Sequence, residues 1–280
     1  MNPTRLKYLN VGCGKRFHLS WVNIDILPTD PEVLVYDVRR GFPFDDNCME
    51  VVYHAHVLEH IPKAEVQEFL LDCFRVLRPG GVMRVVVPDL EQIARHYIRL
   101  FEQNITNTTS KSALDYDWIM LELLDQAARD KKGGEMLHYL SSDPDNRDFV
   151  LSRIGEEARP LLSGVRHRLS LREKMKKITA MRLRVQISLM ASFAEDFLHS
   201  LLPRGKYYKV GKFRMSGETH QWMYDRYSLD RLLRSVGFVD YKIQSAFTSS
   251  ISEWESFELD GKDGVVFKPD SIFVEVSKPH

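Results

Sequence analysis

The chain is short of cysteine, of charge imbalance and of long apolar runs, and each shortage excludes something. Its three cysteines, Cys13, Cys48 and Cys73, make no Cys-x-x-Cys pair and no even disulfide framework. Lys+Arg and Asp+Glu both total 39, so the formal net charge is zero. That balance argues against a dedicated nucleic-acid binder, which usually carries a basic excess. Nowhere do eighteen apolar residues run together, so no transmembrane helix is expected. A strand that begins by residue 8 leaves no room for a signal peptide. There is no internal repeat and no low-complexity tract. A soluble protein of a reducing compartment, the cytoplasm, fits these absences.

What is present organises around residues 8–14, YLNVGCG. A β-favouring run leads into Gly12-Cys13-Gly14, where the backbone must turn tightly. Glycine tolerates positive φ and lacks a Cβ, so a ligand can approach the main chain there. A Gly-rich turn after the first strand is the nucleotide-cradling device of Rossmann-like folds. Residues 21–27 (WVNIDIL) read as a second strand ending near Asp25, whose carboxylate can accept both hydroxyls of a ribose. Gly12 and Asp25 are closer than the roughly 20 residues of dinucleotide binders, so the first helix is clipped. Residues 33–37 give a third strand ending at Asp37, and Met49 to Tyr53 a fourth.

Residues 64–77 place Val66, Phe69, Leu70, Cys73, Phe74 and Leu77 on one helical face, stopped by Arg78-Pro79-Gly80-Gly81. Val82 to Val87 reads as a buried parallel strand, and Asp89 as the N-cap of a helix through about Phe101. The alternation predicts an α/β fold: a Rossmann-like, mostly parallel sheet with helices on both faces. Residues 1–101 form its cofactor-binding core. Residues 102–204 read as a helical insertion, a lid or an oligomerisation arm that leaves room for a homodimer. Residues 205–280 return to the α/β pattern, with a helix ended by Gly237 and strands near 238–246 and 271–277.

In order, LNVGCG, WVNID, FPFDDNCMEVVYHAHVLEHI and FRVLRPGGVMRVVVP resemble the successive motifs of class I S-adenosylmethionine-dependent methyltransferases, type 11 group, over roughly residues 6–90. The segment HQWMYDRYSLDRLLRSVGF (220–238) is similar to the C-terminal part of bacterial members that modify saccharides or other small molecules. The resemblance implies S-adenosyl-L-methionine as cofactor. It puts Gly12, Cys13 and Gly14 against the methionine part, Asp25 on the ribose, and Asp37 and Val38 at the adenine. His54, Ala55 and His56 would line the site near the sulfonium. The first motif departs from the pattern in having two glycines rather than three. No Asn/Asp-Pro-Pro-aromatic signature follows the fourth strand, which counts against methylation of a base amino group.

A small-molecule or saccharide hydroxyl is the expected acceptor, and a hydroxyl benefits from a base, for which histidine is the natural choice near neutral pH. His56 and His220 are the catalytic candidates, and the latter has Trp222 and Tyr224 as neighbours. His60 reads as an organiser of the post-strand loop. The spacing HxHxxEH (residues 54–60) is one residue off a paired-His metal pattern, so no metal is expected. The basic stretch 166–184 reads as a solvated helix face, with an anionic acceptor or peripheral membrane contact as the sharper account. A non-catalytic Rossmann-like scaffold and a nicotinamide-dependent oxidoreductase are the alternatives.

Overall fold

The computed structural model describes residues 8–27, 30–155, 158–162 and 205–280. The basic stretch 166–184 and the long helix expected around it lie outside the described residues. Five strands run parallel: β1 (Tyr8–Val11), β2 (Val22–Asp25), β3 (Val33–Val35), β4 (Met49–Ala55) and β5 (Leu77–Pro88). Then come β6 (Val239–Gln244), a small hairpin of β7 (Gly261–Lys262) and β8 (Val265–Val266), and β9 (Ser271–Ser277). The main sheet has seven strands in the order β3-β2-β1-β4-β5-β9-β6, with β9 antiparallel to both neighbours. The first reversal of strand order falls at β1/β4, the crevice where open α/β sheets bind ligands.

Helix α1 (Val66–Val76) buries Val66, Phe69, Leu70, Cys73 and Val76, the stripe its spacing predicts. It stops earlier than expected. Leu77 is already extended and opens β5, so Arg78-Pro79-Gly80-Gly81 lies within the strand instead of capping the helix. Helix α2 (Leu90–Thr106) starts on Asp89, whose side chain accepts the Gln92 N–H at 3.2 Å. After α2 come α3 (Ser110–Ala128), α4 (Gly134–Ser141), α5 (Arg147–Ile154), α6 (Arg159–Leu162) and α7 (Gly205–Arg214). Helix α8 (Arg226–Val236) has a capping box on Asp225 and ends on Gly237 at φ +109°.

Side chains alternate across the sheet and divide its core in two. Leu9, Val11, Val52, Met83, Val85 and Val274 face α1 and α8. Val51, Tyr53, Val86 and Phe273 face the other way, toward Trp21, Trp254 and Leu259. Helical cover was expected there too. Among the described residues that face instead meets the segment 245–260 and its 3-10 turn, Trp254–Phe257. The ten residues between β1 and β2 leave no length for the missing helix. A third cluster, with Trp118, Ile119, Leu140 and Val150, belongs to the helical block. Ile93 and Leu100 join it, so α2 packs with that block and not with the sheet.

The second face is held by a buried cation. Arg84 points from β5 into it with no exposure, and its guanidinium makes four hydrogen bonds and a further ion-pair contact to Asp260. Asp260 and Glu275 take its charge at 2.8 Å, while the carbonyls of Ser245 and Thr248 take the rest. Tyr53 donates to Asp260 at 2.6 Å, and the Trp254 ring lies 4.4 Å from the guanidinium carbon. Arg84→Met would strand two buried carboxylates, and a loss of about 3–5 kcal/mol is expected in urea unfolding. A loss below about 1 kcal/mol would mean that water already reaches this network.

Candidate active site

The turn after β1 is laced to β2. The N–H groups of Gly12 and Cys13 donate to the Ile24 carbonyl at 2.8 and 3.2 Å. Gly14 N–H reaches Asp25 Oδ2 at 2.8 Å, and Asp25 Oδ1 accepts the Leu27 N–H at 2.8 Å. The carboxylate is therefore aimed before any ligand arrives, with lone pairs to spare. The two glycines serve different needs. A Cβ on Gly12 would come within 2.4 Å of Val57, whereas one on Gly14 would meet nothing within 4 Å and would fill open space above the turn. Both have positive φ, +65° and +54°. The Cys13 thiol between them is pushed up to about 12 by burial and by the Asp25 charge, so it is no nucleophile near neutral pH.

Asp37 follows β3 and caps the 3-10 turn Val38–Arg40. Both of its oxygens already hold Arg39, at 2.9 Å each, and this side-chain pairing keeps its carboxyl below the usual range. Gly12, Asp25, Asp37, Val38, His56 and His60 line one cleft of about 380 Å³. On the other side of the turn a second cleft, also about 380 Å³, takes Gly12, Cys13, Gly14, Ala55 and His56. Gly12 and His56 belong to both. The first cleft carries Asp25, Asp37 and Glu218 together with Arg39 and Arg129. The second carries Lys15, Arg16 and Lys268.

His54 departs from its expected place. Strand parity turns it toward α1, where it is fully buried against the Phe69 ring and lines neither cleft. Burial, against the opposing pull of Glu59, lowers its pKa to about 4, which leaves it a neutral core residue. His56, two residues on, is brought to the site by a backbone break. It sits at φ +54°, a left-handed conformation costly for a residue with a Cβ. Its Nδ1 lies 3.1 Å from Glu59 Oε1, and its Nε2 lies 2.9 Å from Ser271 Oγ.

Glu59 is fully buried on the short turn Leu58–His60. Burial alone would raise its pKa; the pairing with His56 overrides this and holds it at about 2. An ionised carboxylate can only accept, so the proton on the His56 ring belongs on Nδ1 and the lone pair on Nε2. The structure does not bring His220 into either cleft. Its ring is buried at 4.8 Å from that of His60, with the planes nearly perpendicular, and burial lowers its pKa to about 3.

Several lining residues left no signal in the sequence. Arg129, at the end of α3, donates to the Glu218 carbonyl, and both reach the first cleft from the helical block and the segment after α7. Asp260 and Lys268 reach the second cleft from the far end of the chain. These placements depend on contacts between residues some 90 to 200 positions apart, which no local pattern encodes.

Residues 9–85 match the family model described as a methyltransferase domain (Methyltransf_11). A Mycolicibacterium smegmatis protein described as "Probable S-adenosylmethionine-dependent methyltransferase" is 40% identical over 57 residues. That alignment covers 19% of this chain and 21% of the relative, so the chain spans about a fifth of the relative's length. A SAM-dependent methyltransferase structure from Archaeoglobus fulgidus aligns over 99% of this chain and 87% of its own, at 11% identity and TM-score 0.39. One from Aquifex aeolicus aligns over 30% and 57%, at 18% identity and TM-score 0.26. Residues 9–85 are thus similar to a methyltransferase domain, and the aligned relative is described as S-adenosylmethionine-dependent. Among the described residues no helix is long and apolar enough to cross a membrane.

The Gly12–Gly14 turn and the Asp25 carboxylate fit that cofactor: the space above Gly14 is open, and the carboxylate is held ready. Asp37 fits less freely, since a ligand amino group must share it with Arg39. Asp25→Ala removes the acceptor of Gly14 N–H, and with it the two charged hydrogen bonds that a ribose bound there would make. Affinity for S-adenosylhomocysteine, followed by calorimetry, should fall by about 100-fold or more. Unchanged affinity would refute the ribose assignment.

Proposed function

We propose that the protein is an S-adenosylmethionine-dependent methyltransferase acting on a small-molecule or saccharide acceptor at a hydroxyl. The observation that carries this reading is the convergence of Gly12, Asp25 and Asp37 on one cleft that meets, at Gly12 and His56, a second cleft lined by Cys13 and Gly14. Asp25 in the first cleft suits the hydroxyl donors of a ribose, and Asp37 an adenine amino group that it would share with Arg39. Lys15, Arg16 and Lys268 give the second a basic wall suited to a carboxylate.

The cofactor supplies a methyl group already activated by a positive sulfur. The chain's own residues position and deprotonate. His56 Nε2 is the proposed base: it accepts the hydroxyl proton in place of the one Ser271 offers, and Glu59 steadies the cation that forms on the ring. The left-handed backbone at His56 supports a role beyond packing, because such strain persists where the surroundings hold it. His220, the other candidate from the sequence, is better read as support for Glu59 and His60.

Calorimetric titration with S-adenosylhomocysteine, with NAD as comparison, tests the cofactor class. Saturable binding of the first alone is expected; binding of NAD instead would favour an oxidoreductase, and binding of neither a scaffold. With an acceptor identified by screening hydroxylated compounds, His56→Gln should reduce kcat by about 100-fold or more while leaving cofactor affinity within a few-fold. Full turnover in that variant would move the base elsewhere.

A further inference from the structure

The group around Glu59 exceeds what a base and its orienting carboxylate require. One donor atom from each of Glu59, His60 and His220 lies within 4.8 Å of the others. Glu59 has no exposure, yet neither carboxylate oxygen receives a well-aligned hydrogen bond, and His56 Nδ1 is only at ion-pair distance. His220 is 6% exposed, and its Nδ1 has no partner. A buried charge and a buried ring nitrogen left open together are costly unless something binds them.

The surroundings are built and not incidental. The backbone carbonyl of Glu59 accepts the N–H groups of Gln221 and Trp222, at 2.6 and 3.3 Å. His220 N–H donates to the Gln126 carbonyl at 3.0 Å, so the segment is pinned from α3 as well. His60 Nδ1 lies 3.2 Å from the Thr219 carbonyl, which can only accept. That bond puts the proton on Nδ1 and leaves the His60 Nε2 lone pair free, the outer-shell arrangement typical of ligating histidines.

We propose that Glu59, His60 and His220 bind a divalent cation of borderline softness, with zinc as the reference ion. Two imidazoles and one carboxylate are a recurring zinc set that keeps a coordination position open; magnesium and calcium favour all-oxygen shells. Zinc bond lengths put tetrahedral ligand atoms about 3.3 Å apart, so the three side chains must draw in by small rotations. A single Glu59 oxygen suffices for the ion, and the other can keep His56. The sequence points away from a metal because its spacing counts only residues 54–60; the ligand that completes the set is 160 positions away. The site does not depend on the assignment of the cofactor.

The test uses the full chain freed of metal with a chelator, without cofactor. Zinc is titrated in competition with a chromophoric chelator, cobalt(II) is followed by its visible absorption, and magnesium serves as comparison. One equivalent of zinc, an intense cobalt spectrum and weaker magnesium binding are expected. His60→Ala and His220→Ala should each weaken zinc binding by about tenfold or more. Absence of saturable zinc binding, a preference for magnesium, or undiminished binding in both variants would overturn the proposal. Circular dichroism monitors folding. If a variant loses its fold, the wild-type cobalt spectrum decides: weak bands of an all-oxygen octahedral ion would refute the site.

Discussion

The buried Arg84 guanidinium is the constraint on which the second half of the molecule rests. A sheet with a clipped first crossover cannot cover that face with a helix from the β1–β2 connection. The chain covers it with an aromatic segment from its C-terminal end, which needs a polar anchor to stay in register. Arg84 supplies four directed hydrogen bonds at once, to two side chains and two carbonyls between Ser245 and Glu275. A hydrophobic contact would hold the same area without fixing where it sits. The consequence reaches the site, because Asp260, one of the anchored carboxylates, also lines the second cleft.

Site geometry then follows from one strand. β4 alternates, so Tyr53 and Ala55 face the cleft side while His54 faces the core. Had the strand continued, His56 would also have turned toward α1. The left-handed residue breaks that parity and lets the ring reach both Ser271 and Glu59. The stabilising contacts to these two partners offset a backbone cost of about 1–2 kcal/mol. The strained residue is thus also the one that joins the two clefts.

Most of the fold was legible because it is written locally. The Gly12–Gly14 turn, the acid at the end of β2, the apolar stripe of α1 and the Asp89 and Gly237 caps each act within a few residues. The error at His54 has a definite origin: the reading carried a motif's neighbours into the site without counting which face each one takes. The placement of Asp25 beside the glycine turn was legible; the Arg39 pairing of Asp37 was not, since nothing in the spacing says which cation will fold back. His220 was singled out for its aromatic neighbours, yet Trp222 is exposed and packs under Lys63, away from the histidine cluster. What placed His220 was the carbonyl of Glu59 drawing in the backbone after it.

That carbonyl also joins the helical block to the sheet. The segment at Thr219–Trp222 bonds to Glu59 on one side and to Gln126 of α3 on the other, while Arg129 holds Glu218. The block therefore packs around its own core but is fastened at the cleft. A shift of α3 would be felt at His60 and His220 before it was felt anywhere in the sheet. A cleft wall built this way can vary with the helical block while the turn, Asp25 and His56 stay fixed by β1, β2 and β4. The histidine cluster is the joint between these two parts.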